Sequence, residues 1–399
     1  MTMTKKTIVL GVTGSIAAYK IAGLASMLVK EGCEVHVVMT RNATNFINPI
    51  TFETLTGNKC LVDTFDRNFE YNVEHVSLAK KADVVLVAPA TVNVIGKMAN
   101  GIADDMLTTV LLAAQCPIIV SPAMNTNMYH NAFVQENLQK LRDHGIEVIP
   151  PQVGRLACAD VGEGKMPEVE VLMAYLRKAV AYEKDMKGMR VLVTAGPTLE
   201  PIDPVRFISN HSTGKMGFAI ARAAMERGAE VTLVCGNTNI EPPLLVNTVK
   251  VQTAEQMLEV VTENFPQCDM LIKAAAVADF TPATYHSEKV KKKEGNMSIE
   301  LKRTTDILRH ISSFKKEGQL VCGFSMETEN MLENSKKKME EKNLDMIVAN
   351  NLKVEGAGFG VDTNVVTLIT KDEVKQLPIM SKEEVAHKLL DNLLSLKQR

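Results

Sequence analysis

No two cysteines in this 399-residue chain stand at CxxC spacing, and their number is odd. The seven (Cys33, Cys60, Cys116, Cys158, Cys235, Cys268 and Cys322) are dispersed. That pattern excludes a disulfide scaffold or a thiolate zinc site and fits a reducing cytoplasm. Charge of one sign is equally scarce. A net charge of -2 gives no global drive toward nucleic acid or a membrane surface, so any anionic ligand must be held by local groups. No apolar run approaches the roughly 20 residues of a membrane span. The opening MTMTKKTIVLGVTGSIAAYK runs from a strand straight into a Gly turn, where a secretory signal would keep an unbroken apolar stretch.

What is present is alternation. Apolar, β-branched runs at Thr7–Val12, Glu34–Met39, Asp83–Ala88, Ile118–Val120 and Ile146–Ile149 are separated by helical patterns. Ser15–Glu31 is the clearest helix, with Ile16, Ala17, Ile21, Leu24, Ala25 and Leu28 near one face. Such alternation predicts a parallel sheet covered on both faces, with ligand loops outside the C-terminal strand ends. The polar stretch Tyr182–Gly188 precedes a second strand that opens like the first, at Met189–Thr194. The chain therefore reads as two α/β domains, 1–188 and 189–399, each near the ordinary domain size. The second half continues with strands at Glu230–Val234, Met270–Ala274, Leu320–Phe324 and Met346–Ala349. A hairpin is expected across Thr370–Glu373, and an amphipathic helix over Glu383–Leu396. Lys289–Lys293 interrupts this pattern as a basic loop.

Several strand ends carry polar motifs. Gly11–Lys20 joins a Gly turn to a helix whose first N–H groups are free to hold phosphate, although glycine there also serves plain packing. The third glycine and the acidic residue of the dinucleotide fingerprint are not in place. Ala88–Asn93 (APATVN) offers Thr91 and Asn93, or an ordinary Asn/Thr turn. Ser121–Tyr129 offers the amide of Asn125, which suits a carboxylate or amide ligand and also a helix N-cap. His75 and Cys158 are isolated residues, each of a type that is more often inert than catalytic, and the glycines flanking Cys158 suggest a mobile segment.

GVTGSIAAYK, EHVSLAKKAD, APATVN, GIADDMLT, PAMNTNM and LACADVGEGKM together, in this order, resemble the flavin-dependent phosphopantothenoylcysteine decarboxylases over residues 5–180. The resemblance implies a flavodoxin-like parallel sheet holding FMN, lined by Gly14, Ser15, Thr40, Thr91, Asn93 and Ala123. It implies that the cysteinyl thiol is oxidised to a thioaldehyde at the expense of FMN. Carbon dioxide then departs to leave an enethiolate, which is protonated and reduced. By match, His75 is the catalytic histidine, Asn125 holds the substrate carboxylate, and Cys158 protonates the enethiolate as a thiol of reference pKa about 8.5. Ala159 stands where the family commonly has glycine.

In the second half, Thr194–Gly217 turns at Gly196 and Pro197, extends through Pro201 and Pro204, and opens a helix at Ser212–Lys215 with Ser212 or Thr213 as N-cap. It lacks P-loop spacing. With AAAVADF, EKVKK and GF…ET it resembles phosphopantothenate–cysteine ligase over residues 189–399. The order of halves matches the bacterial bifunctional proteins of coenzyme A biosynthesis. The resemblance implies a Rossmann-like ligase domain in which the carboxylate of 4'-phosphopantothenate attacks the α-phosphate of CTP, and the cysteine amine then displaces CMP. Asn210 matches the asparagine associated with the acyl cytidylate, and Lys289 the lysine that stabilises the charged transition state. The CTP site maps to Lys273, Ala274, Ala275, Asp279, Lys289, Thr305, Asp306, Ile307, Leu308, Phe324, Lys338 and Lys342. Thr305 stands where relatives often have proline. Magnesium is expected on the triphosphate, held mostly by phosphate oxygens and water, with Asp279 as a candidate metal or ribose ligand. Trimeric flavin domains and dimeric ligase domains are implied, combining in a closed homo-oligomer such as a dodecamer.

The competing readings are a single active half, a flavin-binding regulatory subunit, and a generic NAD-dependent dehydrogenase. The first two predict a missing catalytic residue, and the third requires glycine spacing that is absent.

Overall fold

The computed structural model describes residues 3–65, 74–155, 161–291, 298–327, 331–351, 358 and 360–397. The chain forms two compact units, Met1–Glu183 and Lys184–Arg399. The break falls inside the polar segment, with Tyr182 and Glu183 in the first unit and Lys184–Gly188 in the second. Met186 is fully buried in that unit's core, and burial of such a side chain is worth roughly 1.5–3 kcal/mol. Asp185 pairs with the buried Arg227, whose Nε lies 2.9 Å from its carboxylate.

In the first unit, five parallel strands lie in the spatial order Glu34–Met39, Thr7–Val12, Val84–Ala90, Ile118–Pro122, Glu147–Val148. Every residue of Thr7–Val12 and of Val84–Ala90 is buried, as expected for strands covered on both faces. The order 2-1-3-4-5 reverses between the first and third strands of the chain. The crevice there is where doubly wound sheets take ligands. The helix after the first strand spans Ala18–Lys30, not Ser15–Glu31. Ser15–Ala17 is a turn, so Ile16 is 55% exposed instead of joining the buried face of Ile21, Leu24 and Leu28.

The second unit carries an eight-stranded sheet. Its order is Asn247–Lys250, Glu230–Cys235, Arg190–Ala195, Met270–Lys273, Leu320–Glu327, Met346–Asn351, Val366–Thr370, Val374–Gln376. The first six are parallel, and the last two add the expected antiparallel hairpin. Numbered along the chain the order is 3-2-1-4-5-6, the doubly wound dinucleotide-fold order, reversing between Arg190–Ala195 and Met270–Lys273. The helix Lys382–Lys397 buries Val385, Ala386, Leu389, Leu390 and Leu393 against this core. Ser212 and Thr213 are not the cap of helix Lys215–Glu226. Gly214 takes that place in the left-handed region, at φ +81°.

Candidate functional site

Thr13 is the hinge of the first site, and sequence reasoning missed it. Its hydroxyl is fully buried and donates to the Pro89 carbonyl at 2.6 Å, while accepting from the Thr91 N–H at 3.1 Å. One side chain thus ties together the two loops that flank the switch point. A threonine ending a β-branched strand gave no distinguishing signal. Beside it, a Cβ on Gly14 would meet the Asn42 Cβ at 2.7 Å, so only glycine allows that close approach.

Two clefts open on either side of the Thr13–Ser15 turn. One, of about 560 Å³, is lined by Gly14, Thr40, Thr91 and Asn93 together with Asn42, Lys97 and Asp105. Thr40 Oγ1 is buried on its wall with no hydrogen-bond partner, a polar atom whose desolvation a ligand would compensate. Lys97 is held cationic there, mainly by Asp104 at 2.6 Å. The other cleft, of about 360 Å³, is lined by Ser15, Ala123 and Asn125 together with Lys20, Arg155 and Lys165. The expected flavin residues are therefore divided: Ser15 and Ala123 face the second cleft with Asn125, the rest the first.

Asn125 does cap a helix. Its Oδ1 accepts from the Asn127 N–H at 2.8 Å. The hairpin Gln152–Arg155/Val161–Lys165 lies against this loop. The Met124 N–H donates to the Gly164 carbonyl at 3.0 Å. Gly164 has φ +127°, and a Cβ there would stand 2.3 Å from the Met124 carbonyl oxygen. The glycines near Cys158 thus serve close packing, a different role from the mobility their composition suggested. Cys158 itself lies outside the described residues. His75 sits half-buried at the start of helix Glu74–Lys81 and lines neither cleft. The other cysteines are mostly buried, and desolvation pushes Cys33 up to about 11 and Cys60 and Cys268 up to about 12. They remain thiols and are packing residues.

The second unit repeats the device. Buried Thr194 and Thr198 accept from the backbone N–H groups of Ala275 (3.2 Å) and Ala278 (3.0 Å), which fastens the AAAVAD loop across the switch point. Asn210 adds a donor from Nδ2 to the Ala276 carbonyl at 3.0 Å. A cleft of about 310 Å³ opens there. Its lining includes the expected Asn210, Lys273, Ala274, Ala275, Asp279 and Phe324. Sequence reasoning missed Asn350, which also lines it and whose Oδ1 is buried without a partner.

Lys273, Lys338, Lys342 and Asp306 form an electrostatic group beside this cleft. Lys342 bonds to Asp306 at 2.8 Å. Burial, then the like charge of Lys342, brings the Lys273 ammonium down to about 8. An anion nearby would reverse that shift, so Lys273 takes up a proton when the anion binds above pH 8 and the affinity falls as pH rises. If the anion is the CTP that the sequence resemblance implies, calorimetry near pH 8.5, in two buffers of different ionisation enthalpy, should show proton uptake that is absent in Lys273→Met. Equal uptake in both proteins would remove Lys273 from the nucleotide site.

Other expected residues are placed less directly. Ile307 and Leu308 point into the core and Asp306 caps their helix, so only the backbone and the Asp306 carboxylate are available to a ligand. Thr305 and Lys289 are exposed and outside the cleft lining. Among the described residues, no group of three His, Cys, Asp or Glu side chains gathers to hold a metal ion, and no helix is long and apolar enough to cross a membrane.

Residues 1–181 match the family model described as "Flavoprotein", and residues 186–396 match the one for the "DNA/pantothenate metabolism flavoprotein C-terminal domain". The coenzyme A biosynthesis bifunctional protein CoaBC of Bacillus subtilis is 46% identical over 401 aligned positions, covering 100% of this chain and 98% of the relative. The protein of the same name from Haemophilus influenzae is 40% identical, with 100% of each chain covered. A crystal structure of the C-terminal domain of a CoaBC protein aligns with 54% of this chain and 98% of its own, at 45% identity and a TM-score of 0.46. With relatives of this identity aligned from end to end, the chain belongs to the family of bifunctional coenzyme A biosynthesis proteins, CoaBC.

Proposed function

We propose that residues 189–399 join 4'-phosphopantothenate to L-cysteine using CTP, and that residues 1–188 decarboxylate the product to 4'-phosphopantetheine using FMN. One observation carries this reading: at its sheet's switch point each unit opens clefts lined by part of the matched set, Gly14, Thr40, Thr91, Asn93, Ser15, Ala123 and Asn125 in the first unit and Asn210, Lys273, Asp279 and Phe324 in the second. The buried, unpartnered Thr40 Oγ1 and the close approach at Gly14 fit a flavin phosphate and its ribityl chain in the first cleft. Bound FMN supplies the two-electron oxidation and re-reduction that the substrate carbon cannot supply. Asn125 orients the carboxylate in the neighbouring cleft, with the cations Lys20, Arg155 and Lys165 on its rim. Cys158 donates the proton that quenches the enethiolate. His75 works from outside both clefts of its own unit, in keeping with a site completed at a trimer boundary.

In the second unit the substrate carboxylate forms a bond to the α-phosphorus of CTP and pyrophosphate leaves. The cysteine amine then attacks the acyl carbon and CMP leaves. Asn210 holds the acyl cytidylate, and Lys289 balances charge on the transferring phosphoryl group. Lys273, Lys338 and Lys342 draw in the nucleotide, Asp279 and Phe324 line its site, and magnesium arrives on the triphosphate as part of the substrate. Cytoplasmic placement and a closed assembly of trimers and dimers complete the reading. Visible absorption of the purified chain tests the cofactor assignment. Flavin bands that persist through gel filtration support it, and a colourless chain that still decarboxylates would refute it.

A further inference from the structure

Asp203 is a carboxylate withdrawn from water, its side chain 0% exposed. One oxygen, Oδ1, accepts from the N–H groups of Val205 at 2.9 Å and Arg206 at 2.8 Å, closing a local turn. That turn needs only one oxygen. The other, Oδ2, accepts from Arg206 Nε at 3.0 Å and, 87 residues along the chain, from the Val290 N–H at 3.2 Å. Arg206 Nη2 in turn donates to the Val290 carbonyl at 3.0 Å. Carboxylate and guanidinium thus hold both backbone polar groups of one residue. The His286 N–H donates to the Ile202 carbonyl at 3.1 Å, so residues 286 and 290 are both moored to the 202–206 segment. Lys289 lies between these moorings and is exposed.

Local closure of the turn uses only Oδ1, so the hydrogen bonds that Oδ2 makes through Arg206 and to Val290 serve to hold the distant segment. Arg206 foremost, then the backbone donors, hold the Asp203 carboxyl well below the usual carboxylate range, so the anchor stays ionised at neutral pH. We propose that Asp203 is a positioning residue of the ligase reaction, fixing through Arg206 and the Val290 backbone the segment that presents Lys289. This rests on the reading of Lys289 given above, and the test separates the two.

The readout is 4'-phosphopantothenate-dependent exchange of labelled pyrophosphate into CTP, measured on the full chain. Asp203→Asn keeps the shape and removes the charge. It should lower kcat for exchange by about 100-fold, the effect of misplacing a reacting group by an ångström, while KM for CTP stays within about twofold. The double variant Asp203→Asn/Lys289→Ala should be no slower than Lys289→Ala alone, because both changes remove one contribution. Val290→Pro deletes the N–H that Asp203 accepts and leaves the Asp203–Arg206 pair in place. It carries the same expectation, and decides the matter if Asp203→Asn does not fold. Unchanged kcat, a loss confined to KM, or a double variant slowed by the product of the single effects would overturn the positioning role. If Lys289→Ala alone keeps the full exchange rate, the reading of Lys289 fails instead, and the role proposed for Asp203 falls with it.

Discussion

Changing Asn125 to aspartate should leave the first unit folded and slow decarboxylation of 4'-phosphopantothenoylcysteine by about a thousandfold. Asn125 has one role in the structure, as an N-cap, and one proposed role, as a carboxylate ligand, and this change separates them. As an N-cap its Oδ1 accepts from the Asn127 N–H at 2.8 Å, and aspartate caps a helix as well as asparagine does. As a carboxylate ligand it must donate, and aspartate has no donor when ionised. It also places a like charge against the substrate. Two unit charges about 4 Å apart repel by about 4 kcal/mol at a near-surface effective dielectric of about 20, and about 1.4 kcal/mol is a factor of ten in rate. Asn125→Ala would be less informative, because it also removes a cap worth about 1 kcal/mol. Thermal unfolding and single-turnover release of carbon dioxide, measured on the same Asn125→Asp sample, decide the point. Near-normal turnover would reduce Asn125 to a structural cap.

Lys289→Ala should produce the opposite pattern: exchange of pyrophosphate into CTP falls by roughly 100- to 1000-fold, the range for removing one group that stabilises transition-state charge. Decarboxylation of supplied 4'-phosphopantothenoylcysteine stays at the wild-type rate, because the first unit has its own core and clefts. The loss should fall on kcat. Lys289 is exposed, and a solvated ammonium adds little to ground-state binding at physiological salt. Its charge counts once the reacting phosphoryl group lies against it in a drier site. A variant with a full exchange rate would remove Lys289 from the chemistry. A variant that loses both activities would mean that the two sites are not independent.

Much of this architecture was legible in the residues. Buried β-branched runs such as Thr7–Val12 and Met270–Lys273 announced parallel strands, and the strand-end loops announced the ligand faces. The strand order itself was not legible, because which parallel strands become neighbours depends on crossovers that no local pattern encodes. The buried hydroxyls of Thr13, Thr194 and Thr198 were invisible for a related reason: threonine at a strand end looks like a strand former until its partner loop is placed. Ile16 was misassigned because helical periodicity runs on through a turn of matching composition. Composition alone makes Gly164 look like a source of mobility, whereas its positive φ and the Met124 carbonyl are what require glycine there. Asp203 gave no signal at all, since its second oxygen meets a residue 87 positions away. The residues matched to catalytic roles come from an ordered set of motifs. Geometry then gathered Asn210, Lys273, Asp279 and Phe324 in one cleft and left His75 and Lys289 outside those of their own units.

The measurement that bears most directly on the whole account is a single incubation of the full chain with 4'-phosphopantothenate, L-cysteine and CTP, followed by mass spectrometry of the products. The account predicts 4'-phosphopantetheine, CMP, pyrophosphate and carbon dioxide in equal amounts, with Cys158→Ala still losing carbon dioxide but stopping at the enethiol that Cys158 would protonate, and with no product formed without CTP. Formation of 4'-phosphopantetheine without CMP, or an accumulation of 4'-phosphopantothenoylcysteine by the unaltered chain, would contradict it.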